Sequence, residues 1–212
     1  MAVQGGDPDP APGLQERLAA FTSLDDLAAF AQGCTRCGLR AGCRGVVFGE
    51  GDPHARISLI GEGPGATEDE AGRPFVGAAG ELLDRILAAA DLPRDSVYIH
   101  NVVMCRPPGN RTPADDEMAA CRPYLLRRLE LVDPAIVVLL GATPLRALVG
   151  PKMQITRERG RWRRMGGRWV LPTYHPAYLL RDGSKKKDVW EDFQMVRDLH
   201  RRLAAGAEGA PA

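Results

Sequence analysis

No stretch of the chain reaches the ~18 consecutive apolar residues that a membrane helix needs, so no membrane partner is expected. An apolar secretory segment is missing as well, because Met1 to Gly13 is mainly Gly, Pro, Asp and Gln. Net charge is almost absent, at +1, and the cysteine count of five is odd. The odd count argues against a closed disulfide framework. Together these absences point to a cytoplasmic, intracellular protein with reduced thiols.

What the chain does have is a pattern of cysteines. Four of the five fall into two pairs, Cys34-x2-Cys37 and Cys105-x15-Cys121. A fold that gathers four such thiols offers ligands for an iron–sulfur cluster or a zinc ion. The wide second pair is unlike the repeated C-x2-C of a zinc ribbon, but the spacing leaves both metals open. Cys43 reads as a spare thiol, with exchange for a ligand possible because it is near Cys37.

At 212 residues, 44% of them hydrophobic, the chain can bury one core. The expected organisation is a disordered tail over 1–13, one domain over 14–205 and a second tail over 206–212. Ser23 precedes Leu24, Leu27, Ala28 and Ala31 at helical spacing and predicts a capped helix that delivers Cys34 and Cys37. Apolar runs at Ile57–Gly61, Val97–Val103, Ala135–Leu140 and Trp169–Pro172 read as buried parallel strands. Helical patterns lie at Ala78–Ala90, Asp115–Leu131, Thr143–Val149 and from about Asp188 to Leu203. Their alternation predicts an α/β three-layer sandwich with a central four-stranded parallel sheet.

Ligands of such sheets bind beyond the carboxyl ends of the strands. Three segments leave those ends: the Gly61-Glu62-Gly63-Pro64-Gly65 loop, Asn101, and Tyr174-His175-Pro176. A carboxylate, an amide and an imidazole are therefore expected around one cleft. Singly each has an ordinary structural explanation; their joint placement weakens it. From Pro151 to Lys187 there are eleven basic side chains against two acidic ones, a local excess that suits a polyanion or a plain solvated face.

Five motifs in order carry a family likeness. Gly61-Glu62-Gly63-Pro64-Gly65 is followed by Glu68-Asp69, then by Gly72-Arg73-Pro74-Phe75-Val76-Gly77. After these come Asn101-Val102-Val103-Met104-Cys105-Arg106-Pro107-Pro108-Gly109-Asn110-Arg111 and His175-Pro176-Ala177. With the four cysteines, this run from Cys34 to Leu203 resembles the family 4, iron–sulfur uracil-DNA glycosylases.

The resemblance implies a repair enzyme that flips uracil out of DNA, hydrolyses its N-glycosidic bond and leaves an abasic site. It implies a [4Fe-4S] cluster on Cys34, Cys37, Cys105 and Cys121. Glu62 and His175 take the catalytic places: His175 donates to uracil O2 as negative charge develops, helped by backbone N–H groups of the loop around Gly63. Asn101 reads uracil O4 and N3–H, Phe75 stacks on the base, and Glu68 lies near uracil C5 as a candidate block to the thymine methyl. A flipped nucleotide leaves a gap, for which Tyr178, Leu179 and Leu180 are candidate wedges, with Arg106, Arg111, Arg181 and Lys185 against phosphates. Action as a monomer on uracil-containing DNA is expected.

A related clade traps its product through a histidine in a basic insertion near the third motif; Pro107 to Pro113 holds no histidine, so turnover is expected. Two rival classes keep the cysteines. A non-catalytic cluster-bearing uracil-DNA-binding module has no need of the whole Glu62, Asn101 and His175 set, and the product-trapping alternative is the clade just described. An electron-transfer protein has no need of Phe75 or the basic strip.

Overall fold

The computed structural model describes residues 13–206; Met1–Pro12 and 207–212, and with them most of the two expected tails, lie outside the described residues. Helices α1 (Leu14–Ala19), α2 (Leu24–Gln32) and α3 (Leu39–Gly42) form an N-terminal arm. Strand β1 (Glu50–Gly51) and strand β2 (Ile57–Gly61) follow, then α4 (Ala66–Ala71), α5 (Ala78–Ala89), β3 (Tyr98–Asn101) and α6 (Asp115–Val132). The chain continues through β4 (Ile136–Leu140), α7 (Ala142–Leu148), α8 (Ile155–Glu158) and the β5 (Arg163–Met165) and β6 (Arg168–Thr173) hairpin, ending with α9 (Pro176–Arg181) and α10 (Lys186–Ala204).

The sheet order is β1-β3-β2-β4-β6-β5. Its four central strands are parallel, as the apolar runs predict, and β1 and β5 are added antiparallel at the two edges. The edge strands escape a hydrophobicity reading because Glu50-Gly51 is two residues long and Arg163–Met165 is mostly arginine. Every residue of β2, β3 and β4 is buried, which is why these runs are continuous rather than alternating. Side chains still alternate between faces. Leu59 joins a core with Leu83, Leu171, Phe193 and Val196, under α5 and α10. Its neighbour Ile60 joins the opposite core with Leu27, Leu125 and Leu145, under α2, α6 and α7. Two cores around one sheet make the three layers.

The Ser23 cap forms as expected, its Oγ accepting from the Asp26 N–H at 3.1 Å. Helix α6 has no side-chain cap at Ala114; instead Glu117 reaches back and accepts from the Ala114 N–H at 2.7 Å. This helix buries Cys121, Tyr124 and Arg128 on one face. Arg128 is wholly enclosed, with 0% exposure. Its guanidinium donates to the carbonyls of Tyr124 (3.3 Å), Phe48 and Asn101 (3.0 Å) and lies 5.3 Å over the Phe48 ring. No carboxylate pairs with it among the described residues.

Arg128 thus joins the entry to β1, the end of β3 and α6 through one side chain. Replacing it by alanine leaves buried carbonyls unpaired and a void, for an expected loss of about 3 kcal/mol or more. Urea unfolding of the intact protein measures this; a loss below about 1 kcal/mol would contradict the role.

Candidate active site

A cavity of about 500 Å³ opens at the carboxyl edge of the sheet, at the place where successive connections run to opposite sides of β2. Its lining includes Glu62, Gly63, Glu68, Phe75, Asn101 and His175. The fold therefore brings together the carboxylate, amide and imidazole that the sequence places on separate strand ends.

Asn101 ends β3 opposite Gly61 of β2. It is 2% exposed, and its Oδ1 has no hydrogen-bond donor. A buried acceptor without a donor costs roughly 1–3 kcal/mol, and this one belongs to a residue that lines the cavity. Gly61 makes this arrangement possible. A Cβ there would stand 2.4 Å from Asn101 Oδ1 and 2.6 Å from the Phe75 ring. Only a bare backbone lets the amide and the ring share one slot.

The Phe75 ring stacks near His175, with centroids 5.5 Å apart and planes at 28°. His175 caps α9, and its Nδ1 accepts from the Ala177 N–H at 3.1 Å. That bond leaves Nε2 to carry the ring proton. Solvent reaches the imidazole only in part; burial, with the Arg181 charge as a second cause, pulls its pKa down to about 4. The group is a neutral donor at pH 7.

Glu62 begins the loop after β2 and accepts from the Thr143 hydroxyl. Thr143 is buried at the start of α7, and sequence reasoning passed over it. The signal was present, because Gly141-Ala142-Thr143 leaves the carboxyl end of a strand just as Glu62 does. Glu68 accepts from the N–H groups of Gly65 (3.1 Å), Val76 (3.0 Å) and Gly77 (2.8 Å).

The outer residues divide. Leu179 is 2% exposed and belongs to the core, so it cannot serve as a wedge. Leu180 is 50% exposed and can. Tyr178 is held by Asp182 at 3.3 Å and by the Tyr174 ring at 5.3 Å. Arg181 lines the cavity and faces solvent. Arg111 lines it too, with its fork engaged by Glu117 at 2.7 Å to each oxygen; Arg106 donates to Asn110 at 2.7 Å. The basic strip is not one free face. Arg159 bonds Asp192, Arg163 bonds Glu158, Arg168 bonds Asp133, and Lys185 lies 3.8 Å from Asp188.

Cys34, Cys37, Cys105 and Cys121 line a second, smaller recess with Arg36, Leu39, Arg40 and Met104. No disulfide joins them. Burial pushes up the thiols of Cys37, Cys105 and Cys121, the last to about 11. Cys43 is not in this lining, but its thiol hydrogen-bonds Cys105 as well as lying 3.6 Å from the Arg40 carbonyl. Among the described residues no three His, Cys, Asp or Glu side chains converge tightly enough for a single metal ion, and no helix is long and apolar enough to cross a membrane.

Residues 48–194 match the model of the uracil DNA glycosylase superfamily. A type-4 uracil-DNA glycosylase of Thermotoga maritima is 47% identical over 172 residues, covering 78% of this chain and 88% of the relative. One from Sulfurisphaera tokodaii is 40% identical over 186 residues, 84% of each. A type-5 uracil-DNA glycosylase of Thermus thermophilus is 35% identical over 149 residues, 61% of this chain and 68% of the relative.

Burial also holds His100 neutral, its pKa well below 6.5. His175 is therefore neutral in the native state where the unfolded chain binds protons, from pH 6.5 down to about 4, and His100 acts in the same direction. Stability must fall as pH drops through that window. Urea midpoints at pH 7.5 and 5.5, above the carboxylate range, check this; a midpoint that stays level or rises would contradict the neutral assignment.

Proposed function

The chain belongs to the type-4 uracil-DNA glycosylases of the uracil DNA glycosylase superfamily, and from that premise we propose that it flips uracil from DNA and hydrolyses the N-glycosidic bond, leaving an abasic site. The observation that carries the reading is the unpartnered Asn101 Oδ1 in the slot beside Phe75. Uracil presents an N3–H to such an acceptor. Cytosine presents a bare nitrogen there, and the mismatch leaves two acceptors facing each other at a cost of roughly 1–3 kcal/mol per unpaired group.

As the bond to the sugar breaks, negative charge gathers on the departing base and positive character on the sugar. A neutral His175 donating from Nε2 to uracil O2 stabilises the first, because its bond strengthens as the oxygen becomes anionic. Backbone N–H groups of the loop around Gly63 add to it. Glu62, fixed by Thr143, sets a carboxylate beside the sugar, where it favours the cation and holds the attacking water. Phe75 supplies the flat wall for stacking. On the duplex, Leu180 is the residue of Tyr178-Leu179-Leu180 free to fill the gap, with Arg181, Arg106, Arg111 and Lys185 near phosphates.

We propose that the second recess takes a [4Fe-4S] cluster, a reading supported by its four cysteines. Its donors are four soft thiols spread around a pocket, which suits a cluster that takes each thiolate at a separate corner. Cys34, Cys37, Cys105 and Cys121 would hold it, and it would tie the N-terminal arm to the loop carrying Arg106 and Arg111. No step of the reaction needs it. The whole acts as a single domain over 14–205 and as a monomer.

Incubating the purified protein with a uracil-containing oligonucleotide and then with alkali should cut the strand; an uncut strand would overturn the reading. His175→Ala should lower the rate by about 10²–10³ while duplex binding persists. Cys105→Ala should lose iron and the brown colour; undiminished iron content would remove Cys105 from the ligand set.

A further inference from the structure

Phe75 holds its place in a conformation phenylalanine rarely adopts. Its φ is 51°, in the left-handed region where a side chain normally clashes with its own backbone. Residues kept there persist only if their surroundings over-determine them, and they cluster at functional sites. The surroundings here are close on two sides. The ring lies against Gly61, and the Phe75 carbonyl sits 1.9 Å from where a Cβ on Gly80 would be.

What turns the chain at this point is a carboxylate. Glu68 Oε1 accepts from the N–H groups of Val76 at 3.0 Å and Gly77 at 2.8 Å, the two residues after Phe75. Its Oε2 accepts from Gly65 at 3.1 Å, in the loop that follows β2. One side chain thus spans the floor of the cavity and the segment that bears its aromatic wall. All three donors are backbone groups, so the interaction needs an acceptor at both oxygens. Bulk alone would not supply it.

We propose that Glu68 is a positioning residue that holds Phe75 in its left-handed turn and so sets the width of the base slot. The inference rests on the uracil reading of the cavity. It differs from a role as a steric block at uracil C5, which requires only the volume of the side chain. Glu68→Gln separates the two, because glutamine keeps the volume but turns an NH2 donor toward backbone N–H groups.

The test compares wild type, Glu68→Gln, Glu68→Ala and Phe75→Leu on oligonucleotides containing uracil or thymine, with thermal melting and duplex affinity measured alongside. A wall displaced by an ångström costs about 100-fold in rate. Glu68→Gln and Glu68→Ala should both lose about that much in kcat/KM on uracil, bind free uracil correspondingly weakly, keep duplex affinity, and gain nothing on thymine. Because Glu68 acts through Phe75, adding Glu68→Gln to Phe75→Leu should cost little more than Phe75→Leu alone. A Glu68→Gln enzyme with wild-type turnover, thymine excision by Glu68→Ala, or fully additive losses would overturn the proposal. If wild type itself excises no uracil, the function reading fails instead. Should the variants not fold, amide exchange in the wild-type protein decides: Val76 and Gly77 must be protected, and rapid exchange at both would refute the clamp.

Discussion

The contact on which the cavity most depends is made by the buried guanidinium of Arg128, which holds the backbone of Asn101 in place. It grips the Asn101 carbonyl at 3.0 Å while also bonding Phe48 and Tyr124. A charge in that position is costly unless its donors are satisfied. Three carbonyls and an aromatic face do so without a carboxylate, so the end of β3 is tied to α6 at a depth no solvent reaches. Cys121 is carried on the same helix face. The cavity around Asn101 and the cysteine recess therefore share one support.

The chemistry around the slot follows from controlled burial. A histidine open to water would titrate near neutrality and lose its definition as a donor. Here Ala177 fixes the tautomer and the surrounding protein keeps the ring neutral, so the imidazole presents Nε2 to the cavity in the form that the proposed mechanism requires. Glu62 stays accessible to the cavity but is steadied by Thr143. Between these two groups, polarity is set by the protein's own hydrogen bonds, the arrangement by which preorganised sites avoid reorganisation.

Much of this was legible in the residues because buried parallel strands write themselves as apolar runs. Ile57–Gly61 and Ala135–Leu140 are found nearly residue for residue, and the rule that ligands sit at strand carboxyl ends gathers Glu62, Asn101 and His175 correctly. Edge strands Glu50–Gly51 and Arg163–Met165 were lost because they are short and polar. The other misses concern which way a side chain points. Leu179 and Leu180 are equivalent as letters, and only the docking of α9 on the core decides that one is buried. The arginines of the 151–187 strip look free in sequence, whereas Asp133, Asp188 and Asp192 that engage them come from distant segments or the next helix. Arg128 could not be seen as central at all, since three carbonyls leave no sequence mark.

On the proposed reading, the orphaned Asn101 Oδ1 takes a ring N–H beside Phe75. The most direct measurement is inhibition by free bases, comparing uracil with 3-methyluracil, which matches it but for a methyl on N3. Uracil is expected to inhibit and 3-methyluracil is not. Equal inhibition by the two would contradict that reading.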